Sequence, residues 1–437
     1  MDSNNNRVSL IGKRLLVLGC SNNANDVKSF ADNEGVVIIA ASLHLNKNMA
    51  DIADEKYCID ILDREQVKNI IREKNIDSIF VGGSEDLISC VIDVATDLGL
   101  PFYSTRELWD TLMNKRLFKE ACRKYGVPTM DDFQINEDRI ELSADELPYP
   151  VVLKPVDNCG SAGVMKCEKA DDFPKLYQFA KDHSRTGQVT VENFVDGFEI
   201  VVYYTFCDGK VTLSSMGDKY VRGNSHSFIP LAEIYAYPSQ YLPQYIEEVD
   251  QNMREMLLGL GVKDGITSMQ GFYKDGKFTF FEMGYRLGGT AQYRYTENIN
   301  GINSFYMMMN LALTGSMIGP KYDQSKDNAM FKKPCCTLTL MSKGGTVAKI
   351  EGVEEARKLP EVICLENRYN VGDTIAVTRT VSQFHVRIYI VADTVKRMKE
   401  VINHLQDTIK VYDINGESML ITHFDTNKLT FPEEYFK

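Results

Sequence analysis

The residues best suited to binding a phosphate lie in the stretch Tyr149–Val164, which reads YPVVLKPVDNCGSAGV. An apolar run ends at Lys154, and a loop containing Gly160 and Gly163 separates this run from a second β-like segment. Backbone N–H groups approach a phosphate closely only where no bulky side chain intervenes, and a nearby ammonium group strengthens such a site. The stretch therefore predicts two strands joined by a phosphate-binding turn, although an ordinary hairpin has the same pattern.

An amide, a carboxylate and an arginine form a second candidate group in the stretch Asp264–Thr290. This stretch predicts a hairpin closed at Asp275-Gly276. Gln270 and Glu282 stand six residues from Gly276 on either side, so a regular hairpin would bring their side chains together. Arg286 follows Glu282 by four residues, and an ion pair between these two would explain the region without any function.

Two more carboxylates, Glu192 and Glu199, flank a turn predicted at Asp196-Gly197. They can be exposed strand residues with no role. Alternatively, the turn links two lobes, so that its backbone contacts a base and one carboxylate contacts a ribose. The polar stretch 218–228 is too irregular in sequence for a core element, and we expect it to be a loop beside the site.

Length and composition restrict the class of protein. A chain of 437 residues predicts two to four domains, and its 44% hydrophobic and 25% charged residues are typical of soluble globular proteins. No apolar run has the length of a transmembrane helix, and the ten scattered cysteines suit a reducing cytoplasm. The net charge of −12 disfavours nucleic acid as a partner. We expect a cytoplasmic protein with no membrane or nucleic-acid partner.

The order of predicted elements indicates three regions. Strands alternate with helices up to Leu98, which predicts βαβ units on a parallel sheet. No GxGxxG motif follows the first strand, so a dinucleotide site is not expected there. One helix is predicted over Leu108–Tyr125 and carries Lys115. From Lys333 onward, short strands separated by turns predict a β-rich region.

Four elements in one order resemble the ATP-grasp superfamily of carboxylate–amine ligases. They are Asn114-Lys115, the glycine-rich hairpin with Lys154, the segment from Glu192 to Glu199, and Glu282 with Arg286. The resemblance covers nearly the whole chain, because the flanking regions also look like those around biotin carboxylase, the purine-pathway ligases and amino-acid ligases. The set of motifs is far more specific than a glycine-rich loop alone.

The resemblance implies a fold that is α/β and α+β in three domains. A Rossmann-like pre-ATP-grasp domain would cover residues 1–108, and a β-rich C-terminal domain would cover residues 326–437. The central ATP-grasp domain would cover residues 109–325, with a mobile lid subdomain at about 127–190.

The resemblance also implies residues that bind the nucleotide. Lys115 and Lys154 match the two lysines on the ATP phosphates, and Glu199 matches the carboxylate on the ribose. The lid loop over the phosphates is matched by Cys159, Gly160, Ser161, Ala162 and Gly163. The segment whose main chain contacts the adenine is matched by Glu192, Phe194 and Val195. Cys159 could be a nucleophile or redox switch, but a small loop residue in a reducing cell is the simpler interpretation.

Metal and substrate residues follow from the same resemblance, with two departures. Glu282 matches a magnesium ligand, and Arg286 matches an arginine that faces substrate or the acyl phosphate. Gln270 stands where the family usually has an acid, and Gly284 stands where it usually has an asparagine. Gln270 can still offer an oxygen to Mg²⁺, or to Mn²⁺ as an alternative ion, and water can replace the asparagine. Whether one or two metals bind stays open.

The implied activity is an ATP-dependent ligase that forms C–N bonds. It would activate a small carboxylic acid, with an amino acid as one option, as an acyl phosphate and join it to an amine, releasing ADP and phosphate. Catalysis would rest on Lys154 and Arg286. Because of Gln270 and Gly284, an alternative is a nucleotide-binding protein with weakened or lost catalysis. The expected partners are small-molecule acids and amines, with a homodimer as an option for the assembly.

Overall fold

The first hundred residues form a four-stranded parallel sheet, as their alternating segments predict. The structure, a computed structural model, describes residues 9–158, 162–222, 231–319, 323–377 and 383–436. The strands are β1 (Arg14–Leu18), β2 (Val37–Ala41), β3 (Glu55–Tyr57) and β4 (Ser78–Val81), in the spatial order β3-β2-β1-β4. The helices are α1 (Ala24–Glu34), α2 (Lys47–Ile52), α3 (Arg64–Glu73) and α4 (Glu85–Leu98). Because α4 follows β4 closely, Glu85 lies at the carboxyl end of the sheet, where ligands of open α/β sheets bind.

A break at Asn114 separates two helices where the sequence predicted one helix over Leu108–Tyr125. The helices are α5 (Arg106–Met113) and α6 (Lys115–Lys124). Asn114 has extended backbone angles, and its side-chain oxygen accepts hydrogen bonds from the N–H groups two and three residues later. The single-helix prediction is wrong because an asparagine side chain competes for backbone hydrogen bonds and favours the N-cap position. The break makes Lys115 the first residue of α6.

A small antiparallel sheet with its own core follows α6. Its strands are β5 (Asp132–Phe133), β6 (Val151–Pro155), β7 (Met165–Cys167) and β8 (Val189–Asn193), in the spatial order β5-β8-β6-β7. Its helices are α7 (Ile140–Asp145) and α8 (Phe173–Asp182). Val151 and Leu153 of β6 pack against Phe173 and Tyr177 of α8 in a cluster separate from the main core. The glycine-rich stretch therefore does lie between two paired strands, β6 and β7.

The large sheet has eight strands and carries the second candidate hairpin. Its first five strands in sequence are β9 (Phe198–Cys207), β10 (Lys210–Arg222), β11 (Leu231–Tyr237), β12 (Gly265–Lys274) and β13 (Lys277–Gly284). The helices between and after them are α9 (Leu242–Glu248), α10 (Asp250–Gly259), α11 (Tyr293–Asn300) and α12 (Ser304–Thr314). All neighbouring strands pair antiparallel.

The C-terminal region adds three strands to this large sheet. The remaining strands are β14 (Cys335–Met341), β15 (Gly345–Glu351), β16 (Val362–Asn367), β17 (Thr374–Ile375), β18 (Phe384–Val391) and β19 (Lys410–Asp413). The remaining helices are α13 (Val353–Ala356) and α14 (Val395–Thr408). The large sheet has the order β13-β12-β9-β10-β11-β14-β18-β16 and so runs across the boundary predicted at residues 325 and 326, while β17-β15-β19 form a separate sheet. The predicted fold class is confirmed: a parallel N-terminal sheet, a central domain with a small sheet, and a β-rich C-terminal region.

The polar stretch predicted as a loop is partly strand. Residues 218–222 belong to β10 and pair with both β9 and β11. The loop prediction is wrong for them because cross-strand partners absorb the polar side chains: Asp218 accepts hydrogen bonds from Ser239 and Gln240, and Lys219 forms an ion pair with Glu199. Residues 223–228 of the predicted loop lie outside the described residues.

Across the described ranges, none of the helices is both long enough and apolar enough to cross a lipid bilayer.

Candidate functional site

The hairpin β12–β13 brings Gln270 and Glu282 together, as predicted. The two residues are direct cross-strand partners, and the Gln270 Nε2 group donates a 2.8 Å hydrogen bond to Glu282 Oε1. The other carboxylate oxygen, Oε2, lies 3.9 Å from the Lys115 ammonium nitrogen. The Glu282 side chain keeps 33% of its surface exposed. Its carboxylate is therefore held in place and remains open to a ligand.

Lys115 lies between Glu282 and the start of the glycine-rich loop. Its Nζ donates a 2.6 Å hydrogen bond to the carbonyl oxygen of Asn158, and its side chain is only 9% exposed. The position follows from the Asn114 cap, which starts α6 at this residue. A cation between a carboxylate and a glycine-rich loop can contact a phosphate that enters there.

Lys154 is bound to a carboxylate that has no contact with solvent. Its Nζ donates a 2.6 Å hydrogen bond to Glu192 Oε2, and Glu192 Oε1 accepts a 2.5 Å hydrogen bond from Lys119. The side chains of Glu192 and Lys119 are fully buried. Burial alone would raise the pKa of Glu192, but the two ammonium groups outweigh it and hold that pKa below its usual value.

Lys119 is a residue that the sequence analysis missed. Besides Glu192, its ammonium group contacts Asp132 of β5 and, at 2.9 Å, Thr190 Oγ1 of β8. The sequence did contain a signal for Lys119, namely its spacing from Lys115. Residues four apart lie on the same face of a helix, so Lys119 is on the face of α6 that carries Lys115. Lys119 thereby connects helix α6 to two strands of the small sheet and, through Glu192, to Lys154.

The segment 192–195, which the resemblance predicts to contact adenine, makes side-chain and backbone contacts within the small-sheet region. The Glu192 carboxylate is occupied by two lysines, which excludes the alternative of an exposed strand carboxylate. The N–H of Phe194 donates to the carbonyl oxygen of Pro150 at 3.1 Å, and the Lys166 ammonium lies 4.1 Å from the centre of the Phe194 ring. Val195 follows directly, beyond the end of β8, and is only partly buried.

Glu199 is paired rather than exposed. It lies opposite Lys219 in the register of β9 and β10, and the two side chains form an ion pair in which each is largely buried. The negative charge of Glu282 also helps to raise the pKa of Lys219. The ion pair therefore lies beside the hairpin that carries Gln270 and Glu282, across β9 and β12 of one sheet. Lys219 is a second residue that sequence reasoning did not single out.

Only the end of the predicted phosphate loop lies within the described residues. Cys159, Gly160 and Ser161 lie outside them, whereas Ala162 and Gly163 are described. Gly163 has φ of +78°, and a Cβ at this position would stand 2.5 Å from the Cβ of His183. Both the backbone angle and the close approach of α8 require glycine here.

Arg286 pairs with the N-terminal sheet and not with its sequence neighbour. Its Nε and Nη2 groups donate hydrogen bonds of 3.0 and 2.8 Å to Glu85 Oε1 at the start of α4. The alternative in which Arg286 pairs with Glu282 is therefore wrong. From the C-terminal region, Arg387 donates a 2.6 Å hydrogen bond to the carbonyl oxygen of Gly289. The segment 286–289 is thus held from two sides, by residues that no local motif reveals.

The residues of the hairpin fit a magnesium ion that is held mainly by phosphates. Within the described ranges, no three His, Cys, Asp or Glu side chains converge as a metal site. Magnesium needs only one or two protein carboxylates when phosphates and waters supply its other oxygen ligands. Glu282 has an accessible carboxylate, and Gln270, whose nitrogen donates to Glu282, keeps its amide oxygen free for a ligand.

Comparisons with known proteins identify two domains. Residues 147–293 match the ATP-grasp domain, and residues 338–412 match the L-amino acid ligase C-terminal domain 2. A formate-dependent phosphoribosylglycinamide formyltransferase from Sulfurovum sp. is 23% identical over 293 residues, which are 64% of this chain and 71% of that protein.

Solved structures share the whole fold. An L-amino acid ligase from Bacillus licheniformis has a TM-score of 0.72 at 19% identity and covers 92% of this chain and 99% of its own. The biotin carboxylase domain of the Hydrogenobacter thermophilus 2-oxoglutarate carboxylase, a dimer in complex with MgADP and bicarbonate, has a TM-score of 0.74 at 17% identity. It covers 94% of this chain and 91% of its own.

ATP-grasp ligases use ATP and Mg²⁺ and form C–N bonds, so the predicted cofactors and the predicted class of enzyme are confirmed at the level of the family. The chain therefore contains an ATP-grasp domain at residues 147–293 and an L-amino acid ligase C-terminal domain 2 at residues 338–412, and it has the fold of the ATP-grasp ligases.

Proposed function

We propose that this ligase activates the carboxylate of an amino acid with ATP and joins it to an amine. The observation that carries the proposal is that Glu282, Gln270, Glu199 and Lys219 lie along neighbouring strands of the large sheet, with Lys115 of α6 beside Glu282. The amino-acid part rests on the match of residues 338–412 to the L-amino acid ligase C-terminal domain 2. That region supplies β14 and β18 to the same sheet.

The chemistry needs two displacements. A carboxylate oxygen of the acid attacks the γ-phosphorus of ATP, the bond to the bridging oxygen breaks, and ADP leaves with that electron pair. The amine nitrogen then attacks the acyl carbon, phosphate leaves, and the nitrogen gives up a proton to a base. The sum is an amide, ADP and phosphate.

The protein's part is to hold charges in position. Lys115 and Lys154 would contact the phosphates, and Arg286, oriented by Glu85, would face the acid or the phosphate that leaves it. Glu282 and Gln270 would hold Mg²⁺, which when bound neutralises charge on the phosphates. The glycine-rich loop, whose backbone requires glycine at Gly163, would cover the phosphates and exclude water, since an acyl phosphate hydrolyses readily.

A second candidate function is nucleotide binding without turnover. The observation that favours it is the hydrogen bond from Gln270 to Glu282, because an amide has replaced an acid and one negative charge is lost. The first candidate is preferred because Lys115 contacts both Asn158, before the loop, and Glu282 of the hairpin, while the Lys154 ammonium lies over the Phe281 ring of that hairpin.

The discriminating experiment measures release of ADP and phosphate with ATP, Mg²⁺ and a panel of amino acids, alone and in pairs. We expect turnover that needs an amino acid, and Lys154→Ala should reduce it by on the order of 100- to 1,000-fold. Lys169→Ala is the matched control, because this lysine of the small-sheet region has a side chain that is 62% exposed. Tight ATP binding without turnover for any pair would support the second candidate instead.

We further propose a homodimer in the cytoplasm. The carboxylase neighbour is described as a dimer, and all nine described cysteines are free thiols. Sedimentation equilibrium under reducing conditions tests the assembly, and a monomer at all concentrations would exclude it.

A further inference from the structure

A cavity of about 460 Å³ lies where β10 and β11 meet the segment 421–428. Its volume is within the range of small-molecule pockets, roughly 300–1,000 Å³. The ion pair of Glu199 and Lys219 forms part of its wall, so the cavity adjoins the proposed nucleotide site. The wall is completed by the C-terminal region, including His423 and Lys428.

Glu233 of β11 lines this cavity, and its carboxylate has no direct partner among the described residues. The residue is 9% exposed, so water can hydrate its carboxylate only in part. Among the described residues, no side chain or backbone group makes a hydrogen bond or an ion pair within 4.0 Å with this carboxylate. Burial raises the pKa of Glu233, and the charges of Arg222, Lys428 and His423 offset this only in part. A buried carboxylate that the nearby cations do not contact directly is costly unless a ligand supplies a direct partner.

Cationic groups lie on the outer side of the same cavity. Arg222 donates a hydrogen bond to the carbonyl oxygen of Ile421 and is otherwise exposed. Lys428 is exposed, and its ammonium group has no hydrogen-bond or ion-pair partner in the described part of the chain. The cavity therefore presents one buried negative group and, at its mouth, positive groups. A ligand that complements both carries a positive and a negative group on one small molecule.

We propose that this cavity binds a free amino acid, with Glu233 receiving its ammonium group and Arg222 and Lys428 facing its carboxylate. The inference rests on the proposed function and deepens it, because it assigns the recognition of one substrate to a residue outside the motifs that the sequence analysis matched. A charge-assisted hydrogen bond in a site shielded from water discriminates strongly against ligands that lack the charged donor. Glu233 thus sets a requirement for a free ammonium group.

The test is ligand-observed saturation-transfer NMR on the full chain with ADP and Mg²⁺ present. The probes are a mixture of the twenty L-amino acids, the same mixture as N-acetyl derivatives, and the same mixture as carboxamides. The wild type should bind the free amino acids and reject the N-acetyl forms, which lack the ammonium group. Glu233→Gln, which keeps the shape of the side chain, should weaken binding of the best free amino acid by about tenfold or more.

Two further variants keep the test specific. Lys428→Met should weaken binding of free amino acids but leave binding of carboxamides unchanged, because only the former carry a carboxylate. Glu354→Gln, at a side chain that is 82% exposed, should change nothing. Thermal melts in the same buffer confirm that each variant is folded.

Several results would overturn the inference. They are equal binding of N-acetyl forms, an unchanged affinity in folded Glu233→Gln, or no binding of any amino acid. These results are separable from failure of the proposed function. If amino acids bind through Glu233 but never stimulate ADP release, the ligase proposal fails and the pocket stands. If turnover is normal in Glu233→Gln with unchanged KM for each amino acid, the pocket fails and the ligase stands.

Discussion

Buried charges are paired at the glycine-rich hairpin, the paired end, but not at the cavity beside β11, the unpaired end. At the glycine-rich hairpin, Lys154, Glu192 and Lys119 form a continuous series of ion pairs in which the Glu192 carboxylate is fully buried. At the cavity beside β11, Glu233 is almost as deeply buried and has no ion-pair partner in the described ranges. The first arrangement is complete without a ligand, whereas the second leaves a charge for a ligand to satisfy.

The difference has a physical consequence for how each end binds. A buried charge pair gains little net free energy, but removing one partner leaves an uncompensated charge and is expensive. The paired end is therefore pre-organised, and it holds the Lys154 ammonium near the loop before any nucleotide arrives. At the cavity, the buried Glu233 carboxylate destabilises the free protein, and a positively charged ligand would remove this destabilisation on binding. The cavity would therefore select ligands by their charge.

The largest expected effect breaks the paired end. Lys119→Met removes the ammonium group shared by Glu192 and Asp132, so one fully buried and one partly buried carboxylate lose their common partner. We expect the free energy of unfolding to fall by about 3–5 kcal/mol, measured by urea denaturation at neutral pH. The control is Lys124→Met, an exposed lysine near the end of the same helix. A loss below about 1 kcal/mol would show that the pairs at this end are not a structural unit.

A smaller effect is expected at the hairpin that joins the two ends. Glu282→Gln removes the carboxylate proposed to hold Mg²⁺, whereas Gln270→Ala removes a neutral oxygen that water can replace. We expect the first change to reduce turnover at limiting Mg²⁺ on the order of 100-fold, and the second by only a few-fold. Turnover against Mg²⁺ concentration, together with Mn²⁺ binding followed by EPR in the presence of ADP, checks both. If Glu282→Gln titrates like the wild type, Glu282 only supports Lys115 and Gln270.

Sequence reasoning located the contact in the β12–β13 hairpin but not the ion pairs of the paired end. The predicted turn at Asp275-Gly276 brought Gln270 and Glu282 close, and a register shift between Gln270 and Gly271 makes them direct partners. The ion pairs of Glu192 with two lysines join residues 38 and 73 positions apart, so no local pattern reveals them.

The sequence could not reveal the contacts that cross between regions. The partner of Arg286 is Glu85, 201 positions away. The alternative of an ion pair with Glu282 was wrong because it was based only on closeness in sequence. The cavity is similar, because residues near 222 and 428 meet only after the C-terminal region packs on the large sheet. Motifs report on chemistry that a family shares, whereas the pocket for a particular substrate is assembled from distant surface residues.

The smallest expected effect concerns Asp218, which lies in β10 next to Lys219 and is fully buried. Burial raises the pKa of this carboxyl to about 6, although hydrogen bonds from Ser239 and Gln240 favour its charged form. A folded-state pKa above the unfolded one of about 3.8 means that the native state binds the proton more tightly. This contribution to stability is complete below about pH 4 and is lost as the pH rises through 6.

Asp218→Asn should therefore stabilise the protein at pH 8 by about 1–3 kcal/mol and leave its stability at pH 4 nearly unchanged. The amide oxygen can still accept from the Gln240 backbone, and the Ser239 hydroxyl can accept from the amide nitrogen. The measurement is the free energy of unfolding in urea between pH 4 and 8, with the exposed Asp171→Asn as control. A variant that is destabilised equally at every pH would mean that Asp218 is a satisfied hydrogen-bond acceptor. Such a result would mean that the charge of Asp218 is satisfied within the protein, like that of Glu192. Glu233 would then be the unsatisfied carboxylate that distinguishes the cavity from the glycine-rich hairpin.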